Sequence, residues 1–387
     1  MLRIKMAYTL VQETSAQTQL DNPLFDMLAA IHQAGSVAQA AQRLGLSYRH
    51  VWGALRKWES QFGSDLVVWN QGKAARLSGF GEKLLFAEQR AKARALPELE
   101  NLRAGMEREF ALAFDPEVHV LSLHASHDLA LSRLKQYTER EARLHLNLHF
   151  CPSMESIEAM SRGECLLAGF HVSEDRAPGS LTQKAFKKLL KPGKHKLINF
   201  LTRRQGMMVA AGNPARIAGL ADLKRAGVRF VNRQPGSGTR LEIDQMLARE
   251  GIDSGSVIGY DNAETTHLAV AAAVASGGAD VGIGIEAAAA QFGLDFIPLG
   301  REQYYFACLK EMLDTPAVVR LRELSRQQQW LEAIANMPGY HAQSSGEVAA
   351  LRKALPWYAF RKPRGSVVAA TGGQAEQPGR TAAAGKR

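Results

Sequence analysis

Between residues 116 and 345 the sequence alternates two hydrophobic periods. Apolar, strand-like runs read HVLSLHA, LHLNLHF, CLLAGFHV, GMMVAA, VRFVNR, SVIGYD, DVGIGI and DFIPL. Helically spaced stretches lie between most of them, at 128–140, 154–162, 220–225, 240–249 and 265–275. Strand–helix alternation predicts an α/β fold, with a mostly parallel sheet covered by helices on both faces. Sheets of this kind bind ligands at the carboxyl ends of their strands. The turns that leave the strands are therefore the candidate site.

One turn stands out. Residues 232–242 read NRQPGSGTRLE, between the run VRFV and a helical pattern. Gly236 and Gly238 permit unusual dihedrals and close backbone approach. The amides of residues 237–240 converge at a helix start, where the dipole favours an anion. Ser237 and Thr239 add hydroxyls, and Arg233 and Arg240 add charge. The Gly-Lys-Ser/Thr ending of a nucleotide-binding P-loop is missing. Similar strand-to-helix starts carry Ser126 and His127, Ser153, and Thr265 and Thr266.

The N-terminal part follows another pattern. Residues 35–59 read GSVAQAAQRLGLSYRHVWGALRKWE. Ser36 is a fitting N-cap for a helix ending at Leu44, and Gly45 suits the left-handed position that stops it. Leu46 is expected to plug the turn. Ser47 then caps a second helix, with Val51, Leu55 and Trp58 facing inward. Tyr48, Arg49, His50, Trp52 and Arg56 remain for the outer face, as in a helix-turn-helix that reads the major groove of double-stranded DNA. A two-helix hairpin with a solvated basic face is the plainer alternative. Residues 66–79 suggest a β-wing whose Lys73 and Arg76 reach phosphates. Leu84, Leu85, Leu96, Leu99, Leu102, Met106 and Phe110 mark residues 80–112 as a helical linker, kinked or restarted at Pro97. A dimer seam on this helix would set two readers at a fixed distance.

Net charge is +10. From Arg361 onward, six basic residues against Glu376 supply +5 of it, on a Gly/Ala/Pro/Gln-rich tail expected to be disordered. The overall basicity is thus weak evidence for nucleic acid. Three cysteines without a C-x-x-C pair, and a first stretch without an export signal, predict a cytoplasmic protein. The apolar stretch 268–292 is interrupted by Asp280, Glu286 and glycines, which rejects a membrane span. GIGIEA at 282–287 matches a dinucleotide fingerprint only in isolation, and no histidine cluster has metal-ligand spacing. No nucleophile–base–acid arrangement emerges, so no enzymatic activity, metal or cofactor is expected.

The stretch AAIHQAGSVAQAAQRLGLSYRHVWGALRKWE, followed by LSGFGEKLL, resembles the winged helix-turn-helix of molybdate-responsive ModE-type regulators and, more distantly, of LysR-type regulators. The segment 116–345, through RQPGSGTR, RGECLLAGFHV, GMMVAAGNP and AAAVASGGADVGIGIEAAA, resembles the periplasmic-binding-protein-like domains fused to such readers. The resemblance implies a winged helix-turn-helix at 20–80, a linker or dimerisation helix at 81–112, a two-lobed type II domain at 116–345 and a basic tail at 346–387. It implies a homodimeric regulator on an operator, with molybdate or tungstate as effector. The ligand residues would be Ser126, His127, Ser153, Arg233, Gly236, Ser237, Gly238, Thr239, Arg240, Thr265 and Thr266. Chain crossovers between lobes are expected near Thr202–Val209 and Gln303–Leu309, with Arg203, Arg204, Tyr304 and Tyr305 on the hinge side. An enzyme or cofactor-binding protein of molybdenum-cofactor metabolism, with an accessory DNA-binding domain, is the alternative.

Overall fold

The computed structural model describes residues 10–12, 18–20, 23–68, 75–141, 143–174 and 179–358. A short hairpin, β1 (Leu10–Gln12) and β2 (Thr18–Leu20), precedes three helices, α1 (Pro23–Ala34), α2 (Val37–Leu44) and α3 (Tyr48–Phe62). Leu24, Leu28 and Ile31 of α1 lie one and two turns apart and are buried against Val37, Ala40, Ala41, Val51 and Leu55. The small residues of α2 let the three helices approach closely. Each fully buried leucine or isoleucine here is worth roughly 1.5–3 kcal/mol.

The caps follow the sequence. Ser36 Oγ accepts from the Gln39 amide, Gly45 ends α2 at φ 66°, and Ser47 Oγ accepts from the His50 amide. Leu46 does not plug the turn: its side chain stays exposed, and only its amide is used, donating to Ala41 O at 2.9 Å. Trp58 is half-buried and stacks on Phe62. Strands β3 (Val67–Val68) and β4 (Arg76–Leu77) pair as the base of a wing whose tip, with Lys73, lies outside the described residues.

A single helix, α4 (Gly79–Phe114), follows; its 36 residues span about 54 Å at 1.5 Å per residue. It runs on through Pro97 and does not restart there. Proline has no N–H to give to the carbonyl four residues back. That carbonyl, Ala93 O, instead accepts from Thr266 Oγ1 at 3.2 Å. A tertiary contact supplies the missing bond.

The remainder is built on one ten-stranded sheet. In chain order it comprises β5 (His119–Ala125), α5 (Leu129–Glu141), β6 (Leu144–Phe150), α6 (Ser153–Arg162), β7 (Leu167–Ser173), α7 (Leu181–Leu189), β8 (His195–Val209), β9 (Phe230–Arg233), α8 (Gly238–Arg249), β10 (Ala263–Glu264), α9 (His267–Ala275), β11 (Val281–Ile285), α10 (Glu286–Gln291) and β12 (Asp295–Leu309). Two helices, α11 (Pro316–Leu324) and α12 (Gln328–Ala335), then precede β13 (Tyr340–His341), β14 (Val348–Ala350) and α13 (Leu351–Ala354). Strands β6-β5-β7 form one parallel half-sheet and β10-β9-β11 the other. The 15-residue strands β8 and β12 run antiparallel through both halves and join them. This is the two-lobed α/β plan.

Three expectations need correction. SVIGYD forms turns, not a strand, because Gly259 adopts φ 86° and its Cα lies against Phe230 O with no room for a side chain. Residues 220–224 form a 3₁₀ turn instead of an α-helix. The chain after 346 does not fade at once: β14 pairs with β8, and Leu351, Leu355, Trp357 and Tyr358 are buried in the core beside Phe186. Residues 359–387, which hold the basic tail, lie outside the described residues.

Candidate functional site

On α3 the buried positions Val51, Leu55 and Glu59 recur every four residues, which turns the intervening side chains outward. Tyr48, Arg49, His50, Trp52 and Arg56 are all exposed, while Ser36 is half-buried at its cap. Arg56 lies 5.3 Å from the Trp52 ring centre and 3.2 Å from Glu59. Glu59 also accepts from the Leu66 and Val67 amides, fixing α3 against the wing. Arg76 is exposed on β4. Gly53, missed in the sequence, lies on the same open face with nothing near its Cα. This exposed aromatic and cationic face, free of apolar packing, has the shape and charge of a groove-reading helix.

The second site is a cavity of about 350 Å³ at the carboxyl ends of the strands. Ser126 and His127 reach it from the end of β5, Arg233 and Ser237 from the β9–α8 turn, and Thr265 from the end of β10. Type II turn geometry explains the loop. Gly236 takes φ 82° after Pro235, and Ser237 N donates to Gln234 O at 3.3 Å. Ser237 Oγ then caps α8 by accepting from the Arg240 amide. That leaves Gly238 and Thr239 as first-turn amides, which have no intrahelical acceptor.

Other sequence candidates serve elsewhere. Arg240 pairs with Asp244 at 3.0 Å, lies 4.2 Å from the Tyr260 ring centre and donates to Arg233 O at 3.2 Å, so its charge is held within the protein and it does not line the cavity. Thr266 caps α9 and bonds Ala93 O. Ser153 Oγ is 3.0 Å from Ser126 Oγ, deep in the protein. Gly238 is needed for His171: an added Cβ would lie 2.7 Å from its Nε2. Thr239 Oγ1 contacts that same nitrogen at 3.3 Å.

Arg233 is the unusual member. It is 3% exposed, and its Nη2 donates to Thr265 O at 2.9 Å. Its Nε and Nη1 are buried without a hydrogen-bond partner. Burial, aided by the nearby Arg203 charge, lowers its pKa to about 9. Buried polar atoms are rarely left unpaired, and each costs roughly 1–3 kcal/mol.

A polar network lies behind it where β8 and β12 cross between half-sheets. Arg203 donates to Asp128 and, at 2.8 Å, to Glu302. Gln205 donates to the other Glu302 oxygen, and Tyr340 to Asp128. Burial and the Asp128 carboxylate hold the Tyr340 hydroxyl well above its ordinary pKa. His171 Nε2 is 3.6 Å from Glu302, yet burial, with the Arg203 and Arg233 charges, holds its pKa well below the usual range and keeps it neutral. Burial likewise lowers His127 to about 4 and holds His267 well below its usual range. His127 Nε2, His171 Nδ1, His267 Nδ1 and Arg203 Nη2 are buried and unpartnered. The hinge prediction holds for Arg203 and Tyr304. The alternate positions point away, Arg204 to Glu286 and Tyr305 into the apolar core.

Sequence reasoning missed Arg94 and Asn101, which bring α4 into the cavity wall, and Cys151, whose thiol burial pushes up to about 12. Ser126 pairs with Ser153 and not with His127, so no nucleophile–base pair forms there. Among the described residues no group of three His, Cys, Asp or Glu could hold a metal ion. No described helix is long and apolar enough to cross a membrane. In GIGIEA, Gly282 and Gly284 make room for Val270, Val231 and Met208, which is packing rather than phosphate binding.

These features define a class: a helix-turn-helix of LysR type joined to a two-lobed domain of periplasmic-binding-protein type. Residues 24–82 match the model of the bacterial regulatory helix-turn-helix protein, lysR family, and residues 134–326 match the PBP superfamily domain. The chain belongs to the same family as the protein YvgK of Bacillus subtilis, with 32% identity over 221 residues, 57% of this chain and 71% of that protein. It is also 34% identical, over 107 residues, to a protein from the 5′ region of the ferredoxin 2Fe-2S gene of Clostridium pasteurianum, covering 27% of this chain and 95% of the other. Among solved structures it resembles full-length BenM (TM-score 0.41, 15% identity, 82% of this chain and 99% of the other). It also resembles CbnR in complex with target DNA (TM-score 0.38, 18% identity, 78% and 97%).

Proposed function

We propose that the protein is a cytoplasmic, homodimeric transcription regulator that senses a small oxyanion, molybdate or tungstate being the first candidates. The single observation that carries the sensing claim is Arg233, a buried guanidinium with two unpartnered nitrogens in the wall of an interlobe cavity. Ser126, His127, Ser237 and Thr265 would complete the contacts with neutral donors. An anion there would satisfy the orphaned N–H groups and the charge together, with charge-assisted bonds of roughly 1.5–3 kcal/mol each.

The DNA contacts would come from Tyr48, Arg49, His50 and Trp52 on α3, with Ser47, Arg56, Arg76 and Lys73 at the backbone. Dimerisation would use the exposed stripe Leu102, Met106, Phe110 and Phe114 on α4. Two copies would then address half-sites roughly 34–36 Å apart. The cavity volume favours a second reading of the ligand: an oxyanion group carried on a larger body, since about 350 Å³ falls within the range of small-molecule sites.

Calorimetric titration of the full chain with molybdate, tungstate, sulfate and phosphate tests the first reading. Selective heat with molybdate or tungstate, and altered affinity for a DNA fragment selected by the protein, are expected. Identical curves for all four anions and for buffer overturn it. Native mass spectrometry of protein from its own cytosol, showing a larger co-purified anion, would favour the second.

A further inference from the structure

The linker helix α4 does more than separate two domains. It lines the cavity and is tied to both half-sheets. On one side Asn101 clamps the end of β6, with Nδ2 donating to Phe150 O at 2.9 Å and Oδ1 accepting from Phe150 N at 2.6 Å. On the other, Arg90 and Arg94 both bind Glu264 at the end of β10, and Thr266 bonds Ala93 O. Arg94, Pro97, Glu98 and Asn101, on one face of the helix, form a cavity wall.

The pairing at Glu264 is lopsided. One carboxylate, 2% exposed, holds two guanidiniums, so this junction has one cation in excess, beside the Glu98 and Glu155 carboxylates that also line the cavity. The two arginines differ in reach: Arg94 lines the cavity with its side chain half exposed, whereas Arg90 does not line it. If Arg94 turned to the cavity, Arg90 would still neutralise Glu264, and no buried carboxylate would be stranded. The exchange is therefore inexpensive.

We infer that Arg94 is a ligand-binding residue, leaving Glu264 for the bound anion, so that the helix carrying the DNA reader senses occupancy directly. This rests on the oxyanion reading above. The anion would sit between Arg233 of one half-sheet and Arg94 of the linker. Loosening one of the two ties between α4 and β10 would free the helix beside the other.

The test is calorimetry of the full chain with sodium molybdate and sodium tungstate, for the wild type, Arg94→Ala and Arg90→Ala, with hydrogen–deuterium exchange over residues 90–101. Arg94→Ala should weaken binding roughly 10- to 100-fold, the worth of a charge-assisted hydrogen bond, and Arg90→Ala by less than about threefold. Molybdate should change exchange over 90–101 in the wild type and leave Arg94→Ala unchanged. Unchanged thermal midpoints would show that the variants fold. Equal affinity and an equal exchange response in Arg94→Ala overturn the inference while leaving the oxyanion reading intact. A wild type that binds neither anion overturns both.

Discussion

Replacing Arg233 with methionine separates the requirements of the fold from those of the site. The side chain is buried, with Nε and Nη1 unpartnered and Nη2 donating to Thr265 O. Methionine keeps the length of the stem and removes the charge. Relief of the two orphaned donors gains roughly 2–6 kcal/mol, at 1–3 each. Loss of the Thr265 contact and imperfect packing return about 1–3 kcal/mol. The net expectation is a ligand-free protein more stable by about 1–3 kcal/mol, or about 2–4 °C per kcal/mol in midpoint for a domain of this size. Differential scanning calorimetry at pH 7.5, with and without millimolar molybdate, measures both halves. Ligand should raise the wild-type midpoint and leave Arg233→Met unmoved. A ligand-free variant that melts several degrees below the wild type would show that Arg233 has partners in the fold, and the argument for an anion there would fail.

Further consequences concern pH, the α4 junction and assembly. Burial lowers the folded-state pKa of His127 to about 4, and those of His171 and His267 well below the usual value. The unfolded chain then binds more protons, so stability present above about pH 6.5 should fall as pH drops toward 4, by on the order of 3 kcal/mol for His127 alone. Urea unfolding at a series of pH values measures this, and His127→Gln should flatten the slope. Thr266→Val removes both the cap of α9 and the donor to Ala93 O, and should cost about 1–3 kcal/mol in urea unfolding, with Thr266→Ser restoring most of it. Met106→Glu with Phe110→Glu should convert a dimer to monomer in sedimentation velocity without lowering the midpoint of the sensor domain, since both side chains are exposed in the protomer.

Local chemistry was legible in the sequence because it depends on neighbours a few residues away. Ser36, Gly45 and Ser47 punctuate α2 and α3 as their types require, and the period-two runs mark β5, β6, β7, β9 and β11. The crossing strands were read only in fragments. GMMV and DFIPL are apolar, but LTRRQ and GREQ, which belong to the same strands, carry the polar hinge and interrupt the apolar runs. In RQPGSGTR the sequence offers Arg233 and Arg240 alike as charge for the turn. In the fold one ends a strand and is buried, and the other begins a helix turn and finds Asp244 four residues on. Arg94 was not legible, because its place in the cavity depends on a contact across 170 residues of sequence.

The hinge network explains why Arg233, and not Arg203, is left for a ligand. Arg203 and Glu302 are cross-strand partners on β8 and β12, and Asp128 adds a second acid from the start of α5. Two carboxylates on one guanidinium raise the Arg203 pKa and hold that charge in the protein. Arg233 lies near Glu302 and Glu264 but has no carboxylate contact of its own, and the three buried histidines around it are neutral. An anion entering from the cavity therefore meets an uncompensated buried cation at Arg233, with Ser126, His127, Ser237 and Thr265 as neutral donors and with Arg94 set against the Glu98 and Glu155 carboxylates on the surrounding wall. The acids behind it, already bound by Arg203, Gln205 and Tyr340, repel the anion less than free carboxylates would. A ligand shifts the angle between half-sheets only by as much as its contacts differ between open and closed forms. Because α4 holds both halves, through Asn101 on β6 and Arg94 on β10, any such shift must strain or release one of these ties. A coupling of about 1–3 kcal/mol between effector and operator is then the worth of one or two such bonds.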